Sequence, residues 1–250
     1  MATKKTRLDR LLSERGLAES GEKAKRLIMA GLVYVNGQKS DKPGTRVAQG
    51  ANIEVRATLS YVSRGGLKLE AALDHFKLNP SEAICLDVGA STGGFSDCLL
   101  QRGARKIYAV DVGHGQLHYR LQKDERVINL ERTHIRNLTE TYVREPADVL
   151  TIDVSFISLT TVLPLAWPFL REGGWAVALI KPQFEAGPKN IRKGVVRDPV
   201  VRQACVDKVM TYASTLKGGH TLGVIESPIH GPKGNIEFLL VLQKHKLDCF

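Results

Sequence analysis

The chain has 250 residues, a length that allows one large domain or a medium domain with a small one. Hydrophobic residues make up 43% of it, which is enough to build a folded core. There are 36 Lys and Arg residues against 26 Asp and Glu, and the net charge of +10 favours a polyanionic partner. The excess is densest in residues 1–60, which hold 12 basic and 6 acidic residues.

The sequence carries no signal for export, membrane insertion or metal binding. Its start, MATKKTRLDR, has charges but lacks the apolar stretch of a signal peptide. The longest apolar stretch, 159–170, is interrupted by two prolines and is shorter than the ~20 residues that cross a bilayer. The cysteines show no CxxC spacing, so neither a disulfide framework nor a zinc site is predicted. We expect a cytoplasmic protein with no membrane partner and no metal.

Residues 6–56 have the pattern of a small α+β unit. Leucines after residue 7 form a short helical stripe, and Ser20 is a suitable N-cap for a second helix that ends at Gly31. The run LVYVNGQ predicts a strand and a turn, because Asn36-Gly37 is a strong hairpin signal. A further strand is expected in ANIEV, at 51–55.

The order of these elements resembles the S4 RNA-binding domain. The segment RLDRLLSERGLAESGEKAKRLIMAGLVYVNGQ carries a helix, a basic helix and a VNG hairpin in the order of that family. The resemblance implies an RNA partner, and cations on this surface would neutralise backbone phosphates and release counterions. The candidate RNA-binding residues are Arg7, Arg10, Lys23, Lys25 and Arg26, with Arg64 further along the chain.

Beyond residue 64 the chain alternates strands with helices. Such alternation predicts an α/β fold with a doubly wound, mostly parallel sheet of seven strands. The last two strands are joined only by a turn-rich segment and should be antiparallel. Two domains are predicted, at 1–58 and 65–250, with a linker at 59–64. The predicted strands are 84–88, 106–112, 126–130, 147–153, 175–181, 221–226 and 235–242, and the predicted helices include 93–102, 158–169 and 199–216.

A glycine-rich turn follows the first of these strands, in LDVGASTGGF. It lacks the GxGxxG spacing of a nicotinamide site and the GK[ST] of a phosphate loop. The form DVGAxxGGF resembles the S-adenosylmethionine turn of class I methyltransferases, in which glycines would let the cofactor approach the backbone. Asp111, at the end of the next strand, is placed to accept hydrogen bonds from ribose hydroxyls. The predicted cofactor-binding residues are Asp87, Gly89, Ala90, Ser91, Thr92, Gly93, Gly94, Phe95, Asp111 and Val112.

Two other sequence features bear on the group that would accept a methyl. No cysteine follows a proline, whereas a cytosine-C5 enzyme uses a Pro-Cys nucleophile. The segment after the fourth strand is TIDVSFIS instead of the Asn/Asp-Pro-Pro-aromatic motif frequent in exocyclic-amine enzymes. Both features favour a hydroxyl acceptor.

Four polar residues near strand ends fit chemistry on a hydroxyl. Lys68 lies in SRGGLKLE, Asp153 and Lys181 end two strands, and Glu237 opens the last strand. This set resembles that of the FtsJ-type ribose 2′-O-methyltransferases. With the front unit, the chain is similar over residues 6–243 to the TlyA (hemolysin A-like) family. That resemblance implies S-adenosylmethionine-dependent methylation of a cytidine ribose in 16S or 23S ribosomal RNA, with Lys68, Asp153, Lys181 and Glu237 as catalytic residues.

A ribose hydroxyl must lose its proton as it attacks a methyl group. A lysine can accept that proton only in its neutral form, which burial and a neighbouring cation favour. We predict that Lys181 is the base, flanked by Lys68, and that Asp153 and Glu237 orient the two amines. Two alternatives stay open: a noncatalytic RNA-binding or ribosome-assembly factor, and a hemolysin, as the family's older name suggests.

Overall fold

The computed structural model describes residues 5–29, 31–55 and 60–246, and the chain divides into two compact units, 1–59 and 60–250. The first unit has strands β1 (Lys5–Arg7), β2 (Val33–Val35), β3 (Gln38–Ser40), β4 (Arg46–Ala48) and β5 (Ile53–Val55), with helices α1 (Leu8–Glu14) and α2 (Gly21–Met29). Strand β1 pairs with β4, and β2 lies between β3 and β5, all antiparallel.

The predicted N-cap and the predicted hairpin turn are both present in the first unit. The Ser20 hydroxyl accepts a hydrogen bond from Lys23 N (3.2 Å) and caps α2. Asn36 and Gly37 have φ angles of 49° and 79°, the left-handed pair that a two-residue hairpin needs between β2 and β3. The leucine stripe of α1 is buried with Ala24 and Ile28 of α2, and the core of this unit therefore lies between helices and strands.

The second unit holds a single sheet flanked by helices. Its strands are β6 (Ile84–Val88), β7 (Lys106–Val110), β8 (Val127–Leu130), β9 (Ala147–Ile152), β10 (Leu170–Ile180), β11 (Gly219–Glu226) and β12 (Phe238–Lys244). Its α-helices are α3 (Gly65–His75), α4 (Gly94–Gln101), α5 (Tyr119–Gln122), α6 (Leu159–Ala166), α7 (Pro182–Glu185) and α8 (Pro199–Ala213). Short 3₁₀ turns lie at Ile135–Asn137, Trp167–Phe169, Pro188–Asn190 and Pro232–Gly234.

The sheet has seven strands in the order β11-β12-β10-β9-β6-β7-β8. Neighbouring strands are parallel except β12, which is antiparallel to both β10 and β11, so the predicted α/β sheet and its antiparallel final pair are confirmed. Chain connections run outwards in opposite directions from β6 and β9. Ligands of such sheets bind at the carboxyl ends of the strands where this reversal occurs.

Strand β6 shows why both faces of the sheet are covered. Leu86 and Val88 belong to one core cluster with α6 and α8, whereas Cys85 belongs to a second cluster with α3 and α4. Successive side chains of a strand point to opposite faces, so a continuously apolar strand needs helices on both sides.

The observed elements differ from the predicted ones in a few places. Strand β10 begins at Leu170 instead of Trp175, and its register with β9 shifts between these two residues. Helix α3 was not predicted, since two glycines at its start weaken the helix signal.

The predicted domain boundaries stay a prediction, because residues 58 and 59 lie outside the described residues. Within the described part of the predicted linker, Tyr61 is buried and Val62 N donates to Asp97 Oδ2 (2.7 Å). Residues next to α3 are therefore packed on the second unit.

Candidate active site

Two neighbouring cavities open at the carboxyl edge of the sheet. The first, of about 550 Å³, lies beside the ends of β6, β7 and β9 and is called here the apolar cavity. The second, of about 470 Å³, lies beside α3 and the ends of β9 and β10 and is called the lysine cavity. Gly89, Ser91 and Asp153 line both. Ligands held in the two cavities would therefore meet at these shared residues.

The apolar cavity has the walls of a nucleoside site. Val110, Val112, Ile135 and Ile157 are among its apolar lining residues, and Asp111 lies in the same wall. Its size is within the range of small-molecule pockets, about 300–1,000 Å³. An aromatic ring would contact the apolar side chains, and hydroxyls would donate to the carboxylate.

Asp111 also organises the backbone around this cavity. Its Oδ2 accepts a hydrogen bond from Ser91 N (2.8 Å), and its Oδ1 accepts one from Gly113 N (2.7 Å). Each carboxylate oxygen has two acceptor sites, so both retain capacity for a ligand hydroxyl. Asp111 thus fits the predicted role while joining two loops.

The glycine turn is shaped by packing within the protein. Gly89 has a φ of 85°, and a Cβ there would lie 2.6 Å from the Asp153 carbonyl oxygen. Gly93 has a φ of 94°, and its Cβ would lie 2.1 Å from Leu121 Cδ1. Close packing of the protein's own atoms explains both glycines, whereas the sequence prediction invoked approach of a cofactor. Gly93 lines neither cavity; Ala90, Ser91, Thr92, Gly94 and Phe95 line the lysine cavity.

The structure does not bring Asp87, a predicted cofactor ligand, to either cavity. Its side chain is fully buried, with Ser96 Oγ donating to Oδ2 (2.6 Å) and Thr151 Oγ1 donating to Oδ1 (2.8 Å). It therefore ties α4 and β9 together behind the glycine turn. Burial raises the pKa of Asp87 to about 6, although the two hydroxyl donors oppose this shift.

We expect the Asp87 carboxyl group to lower the free energy of unfolding as the pH rises from roughly 4 to 6. Folding raises the pKa of Asp87 from 3.8 to about 6, so the folded chain binds this proton more tightly than the unfolded chain does. The stability gained from the bound proton is lost as the pH rises through about 6. Relative to an Asp87→Asn variant, the wild-type free energy of unfolding should decrease by about 3 kcal/mol between roughly pH 4 and pH 6.

Urea unfolding of both proteins at several pH values measures this slope. The difference between the two proteins isolates Asp87 from all other titrating groups. A difference that stays constant from pH 4 to pH 7 would contradict the prediction.

Two of the four predicted catalytic residues form a buried ion pair. Lys68, on α3, places Nζ 2.6 Å from Glu237 Oε2, with side chains 10% and 0% exposed. Gln183 Nε2 donates to the other oxygen of Glu237 at 3.2 Å. Glu237 reaches this edge because β12 is antiparallel, so its amino end lies beside the carboxyl ends of the parallel strands.

The other two predicted catalytic residues form a second ion pair. Lys181 Nζ lies 2.6 Å from Asp153 Oδ1, off the direction that a hydrogen bond to this oxygen needs, and donates to Ser155 Oγ at 3.1 Å. Lys68, Lys181 and Asp153 all line the lysine cavity. The structure therefore brings two amines and their two carboxylates together, although they lie far apart in the sequence.

Gly231 leaves room for the Glu237 carboxylate. A Cβ on Gly231 would lie 2.0 Å from Glu237 Oε1, while the φ of −69° at this residue is open to any side chain. Gly231→Ala should therefore displace the Glu237 carboxylate and lower the rate of the reaction at the lysine cavity by at least about tenfold, equivalent to about 1.4 kcal/mol in the barrier.

Gly187→Ala is the matched control for this substitution. Gly187 also has a negative φ, of −64°, and within the described part of the chain a Cβ at this position would meet no atom within 4 Å apart from its two neighbours in sequence. Rates should be measured for both variants at saturating substrate. Equal rates in Gly231→Ala and Gly187→Ala would show that the carboxylate tolerates displacement.

Two buried polar residues near the site, one after β10 and one before β12, were missed by sequence reasoning. Glu185 accepts hydrogen bonds from Ser158 Oγ (2.6 Å), the N-cap residue of α6, and from Leu159 N (2.7 Å), the first N–H of that helix. Asn235 is buried, and its Nδ2 donates to Gly194 O (2.9 Å). Glu185 lies in the KPQFE motif, which was one available signal, but no short-range pattern identifies Asn235.

An aromatic pair, the exposed Phe156 and the half-buried Phe184, lies next to Lys181. Phe156 is 90% exposed with a φ of 65°, a strained conformation for a bulky residue, and its ring centroid is 5.0 Å from that of Phe184. Lys181 Nζ is 6.0 Å from the Phe184 ring centroid. Flat, solvent-facing rings beside a cavity can stack on a base.

The predicted RNA-binding residues of the first unit lie at its surface, apart from Lys25, which is half-buried. Arg7 pairs with Asp9 at 2.6 Å, Arg10 with Glu14 at 2.8 Å, and Lys25 with Glu22 at 2.7 Å. Lys23 and Arg26 are exposed on α2, and among the described residues neither has a salt-bridge partner. In the second unit, the exposed Arg64 lines the lysine cavity.

The described part of the chain offers neither a membrane span nor a metal cluster. No helix in 5–29, 31–55 or 60–246 is both long and apolar enough to cross a membrane. The same ranges hold no group of three His, Cys, Asp or Glu side chains suited to a metal ion.

The sheet order, the glycine turn after β6 and the acid after β7 define the fold of a class I methyltransferase. Residues 61–244 match the FtsJ-like methyltransferases, and residues 6–53 match the S4 domain. The chain therefore belongs to the FtsJ-like methyltransferase family and carries an S4 domain in its first unit.

Similar proteins cover nearly the whole chain. The Bacillus subtilis protein YqxC, provisionally described as an rRNA methyltransferase, is 49% identical over 97% of this chain and 87% of its own length. The 16S/23S rRNA (cytidine-2′-O)-methyltransferase TlyA of Mycobacterium tuberculosis is 43% identical over 96% of this chain and 90% of its own. A solved Streptococcus thermophilus structure, described provisionally as a hemolysin, has a TM-score of 0.75 and 44% identity, covering 98% of this chain and 90% of its own.

Proposed function

We propose that this chain is an S-adenosylmethionine-dependent methyltransferase that acts on the ribose 2′-hydroxyl of a cytidine in 16S or 23S ribosomal RNA. The observation that carries the proposal is the convergence of two lysine–carboxylate pairs on a cavity that shares a wall with a nucleoside-sized cavity. A ribosomal substrate also implies that the protein works in the cytoplasm. The named activity of the Mycobacterium tuberculosis relative agrees with this interpretation.

The residues around the apolar cavity fit S-adenosylmethionine. Asp111 would accept hydrogen bonds from ribose hydroxyls, Val112 and Ile135 would contact the adenine ring, and Gly89 and Ser91 would lie beside the amino-acid end. Bound there, the cofactor supplies a methyl group that is electrophilic without assistance from a metal. Asp87 supports the turn from behind instead of touching the ligand.

Lys181 is the proposed base in the lysine cavity. It would take the proton of the ribose hydroxyl, while Asp153 and Ser155 hold its Nζ in position. Lys68, held by Glu237, contributes a second positive charge to the same cavity, which would stabilise the developing alkoxide. Phe156 and Phe184 would stack on the exposed base of the target nucleotide.

We propose that the S4 domain binds the RNA. Lys23 and Arg26 are the strongest candidates, since their charges are exposed on one short helix. Arg7, Arg10 and Lys25 would first have to leave their carboxylate partners. Binding through phosphates should weaken steeply with salt.

Transfer of a radiolabelled methyl group to purified ribosomal subunits tests the proposal. Wild-type protein should label 16S or 23S RNA at a cytidine 2′-oxygen, mapped by mass spectrometry of nuclease digests, and Lys181→Ala should not. RNA binding without any transfer by the wild type would favour an assembly factor. Lysis of erythrocytes by pure protein without cofactor would favour a hemolysin.

A further inference from the structure

The wall of the apolar cavity includes a loop at 112–117, with the sequence VGHGQL. Val112 and Gln116 line the cavity, and Ser91 Oγ lies 3.2 Å from Gln116 Oε1. The loop contains two glycines, one of which, Gly115, has a φ of 66°. Glycines give an unrestrained loop many conformations, so this wall needs an anchor if the cavity is to be preformed.

Glu131, directly after β8, is such an anchor. Its Oε1 accepts hydrogen bonds from Gln116 N (2.8 Å) and Leu117 N (3.2 Å), and its Oε2 lies 3.5 Å from His114 Nδ1. The side chain is only 13% exposed, so its bonds are partly shielded from water. Backbone donors at residues 115–117 hold the pKa of Glu131 down to about 2, so it stays ionised at neutral pH.

The neighbouring backbone completes the anchor. Arg132 N donates to Gly113 O (2.9 Å), and Gly113 N donates to Asp111 Oδ1 (2.7 Å). One side of the loop is thus held through Asp111, which lies in the cavity, and the other through Glu131, which lies outside it. Removing Glu131 would free residues 114–117 while leaving the groups of the lysine cavity in place.

We propose that Glu131 is a positioning residue that preorganises the 112–117 loop and thereby sets the affinity for the cofactor without taking part in methyl transfer. This inference rests on the proposed function only in naming S-adenosylmethionine as the ligand. Binding to a preformed wall avoids the entropic cost of ordering the loop. Charge-assisted hydrogen bonds, about twice as strong as neutral ones, make a carboxylate well suited to this task.

Calorimetric titration with S-adenosylhomocysteine tests the proposal on the full chain. Glu131→Ala should raise the dissociation constant about tenfold or more. Glu131→Gln should show a smaller increase, because its neutral oxygen can still accept both backbone hydrogen bonds. Glu125→Gln, an exposed carboxylate just before β8, is the matched control and should bind like the wild type.

Two further measurements separate positioning from general stability and from chemistry. Hydrogen exchange of the amides at 115–117 should be faster in Glu131→Gln without cofactor, whereas exchange in β6 should not change. At saturating cofactor the rate constant of Glu131→Gln should stay within about twofold of wild type. If Glu131→Ala fails to fold, Glu131→Gln still tests the proposal.

The outcomes distinguish this inference from the proposed function. A wild-type chain that binds neither S-adenosylhomocysteine nor S-adenosylmethionine would overturn the assignment of the cofactor. Binding by the wild type with equal affinity in all Glu131 variants would overturn only the role of Glu131. A fall in the saturated rate as large as the fall in affinity would also overturn it, since Glu131 would then act on the chemical step.

Discussion

Replacing Lys181 by alanine is expected to lower the rate of methyl transfer about 10²–10⁴-fold, the usual contribution of a general base. Cofactor affinity should change little, because Lys181 lines only the lysine cavity. Lys181→Arg is the sharper variant. It keeps the positive charge beside Asp153, but a guanidinium does not give up its proton at any accessible pH. We therefore expect Lys181→Arg to be as inactive as Lys181→Ala.

Single-turnover rates with saturating cofactor and ribosomal subunits measure this effect. Lys123→Ala, at an exposed lysine after α5, controls for loss of a positive charge and should behave like the wild type. Substantial activity in Lys181→Arg would show that the charge of residue 181 is used and not its ability to accept a proton. The proton acceptor would then have to be sought among the other groups of the cavity.

Glu237→Gln is expected to reduce the free energy of unfolding of the second unit by about 3–5 kcal/mol, because it leaves the buried Lys68 ammonium without its counter-charge. The double variant Lys68→Met/Glu237→Gln should recover most of this stability, since the unpaired charge is then gone. Methyl transfer should remain low in both. The double variant would thus regain stability without regaining activity.

Urea unfolding followed by tryptophan fluorescence measures the first effect, because both tryptophans, Trp167 and Trp175, lie in the second unit. Asp124→Asn breaks a more exposed pair with Arg126 and should cost no more than about 1 kcal/mol. A Glu237→Gln variant as stable as Asp124→Asn would contradict the prediction. Full activity in the double variant would remove Lys68 and Glu237 from the chemistry.

Short-range signals account for much of what could be predicted. Ser20 caps α2, and Asn36-Gly37 forms its turn, because the atoms that interact lie within three residues of each other. Strand β6 was predicted with its observed bounds, since a continuous apolar run before a glycine turn is a local pattern. Helix α3 was missed because the two glycines at its start weaken the local helix signal, although its buried face packs against α4.

Some residues of the site were predicted and others were not, because local patterns do not show which side chains pack around a residue. Asp87 lies one residue before the end of β6 and Asp111 directly follows β7, and the two look alike in the sequence. One is nevertheless sealed between Ser96 and Thr151, whereas the other lines a cavity. Which acid faces solvent depends on the side chains that pack around it. Glu131 was overlooked because its partners, the amides of a glycine loop, carry no side-chain signature.

The sequence by itself determined the two-part organisation, the alternating strands and helices, the glycine turn and the set of four polar residues. The first three follow from periodicity, turn chemistry and residue type, which act over a few neighbouring residues, whereas the role of the four polar residues was predicted from their resemblance to the FtsJ-type methyltransferases. Only the tertiary structure decided that Lys68 meets Glu237, 169 positions away, and that Lys181 meets Asp153 beside the same cavity. The physical reason is the pairing of strands that are distant in the sequence. Strands β9 and β10 are parallel neighbours, so the residues that follow them meet, and the antiparallel β12 brings its own beginning to the same edge of the sheet.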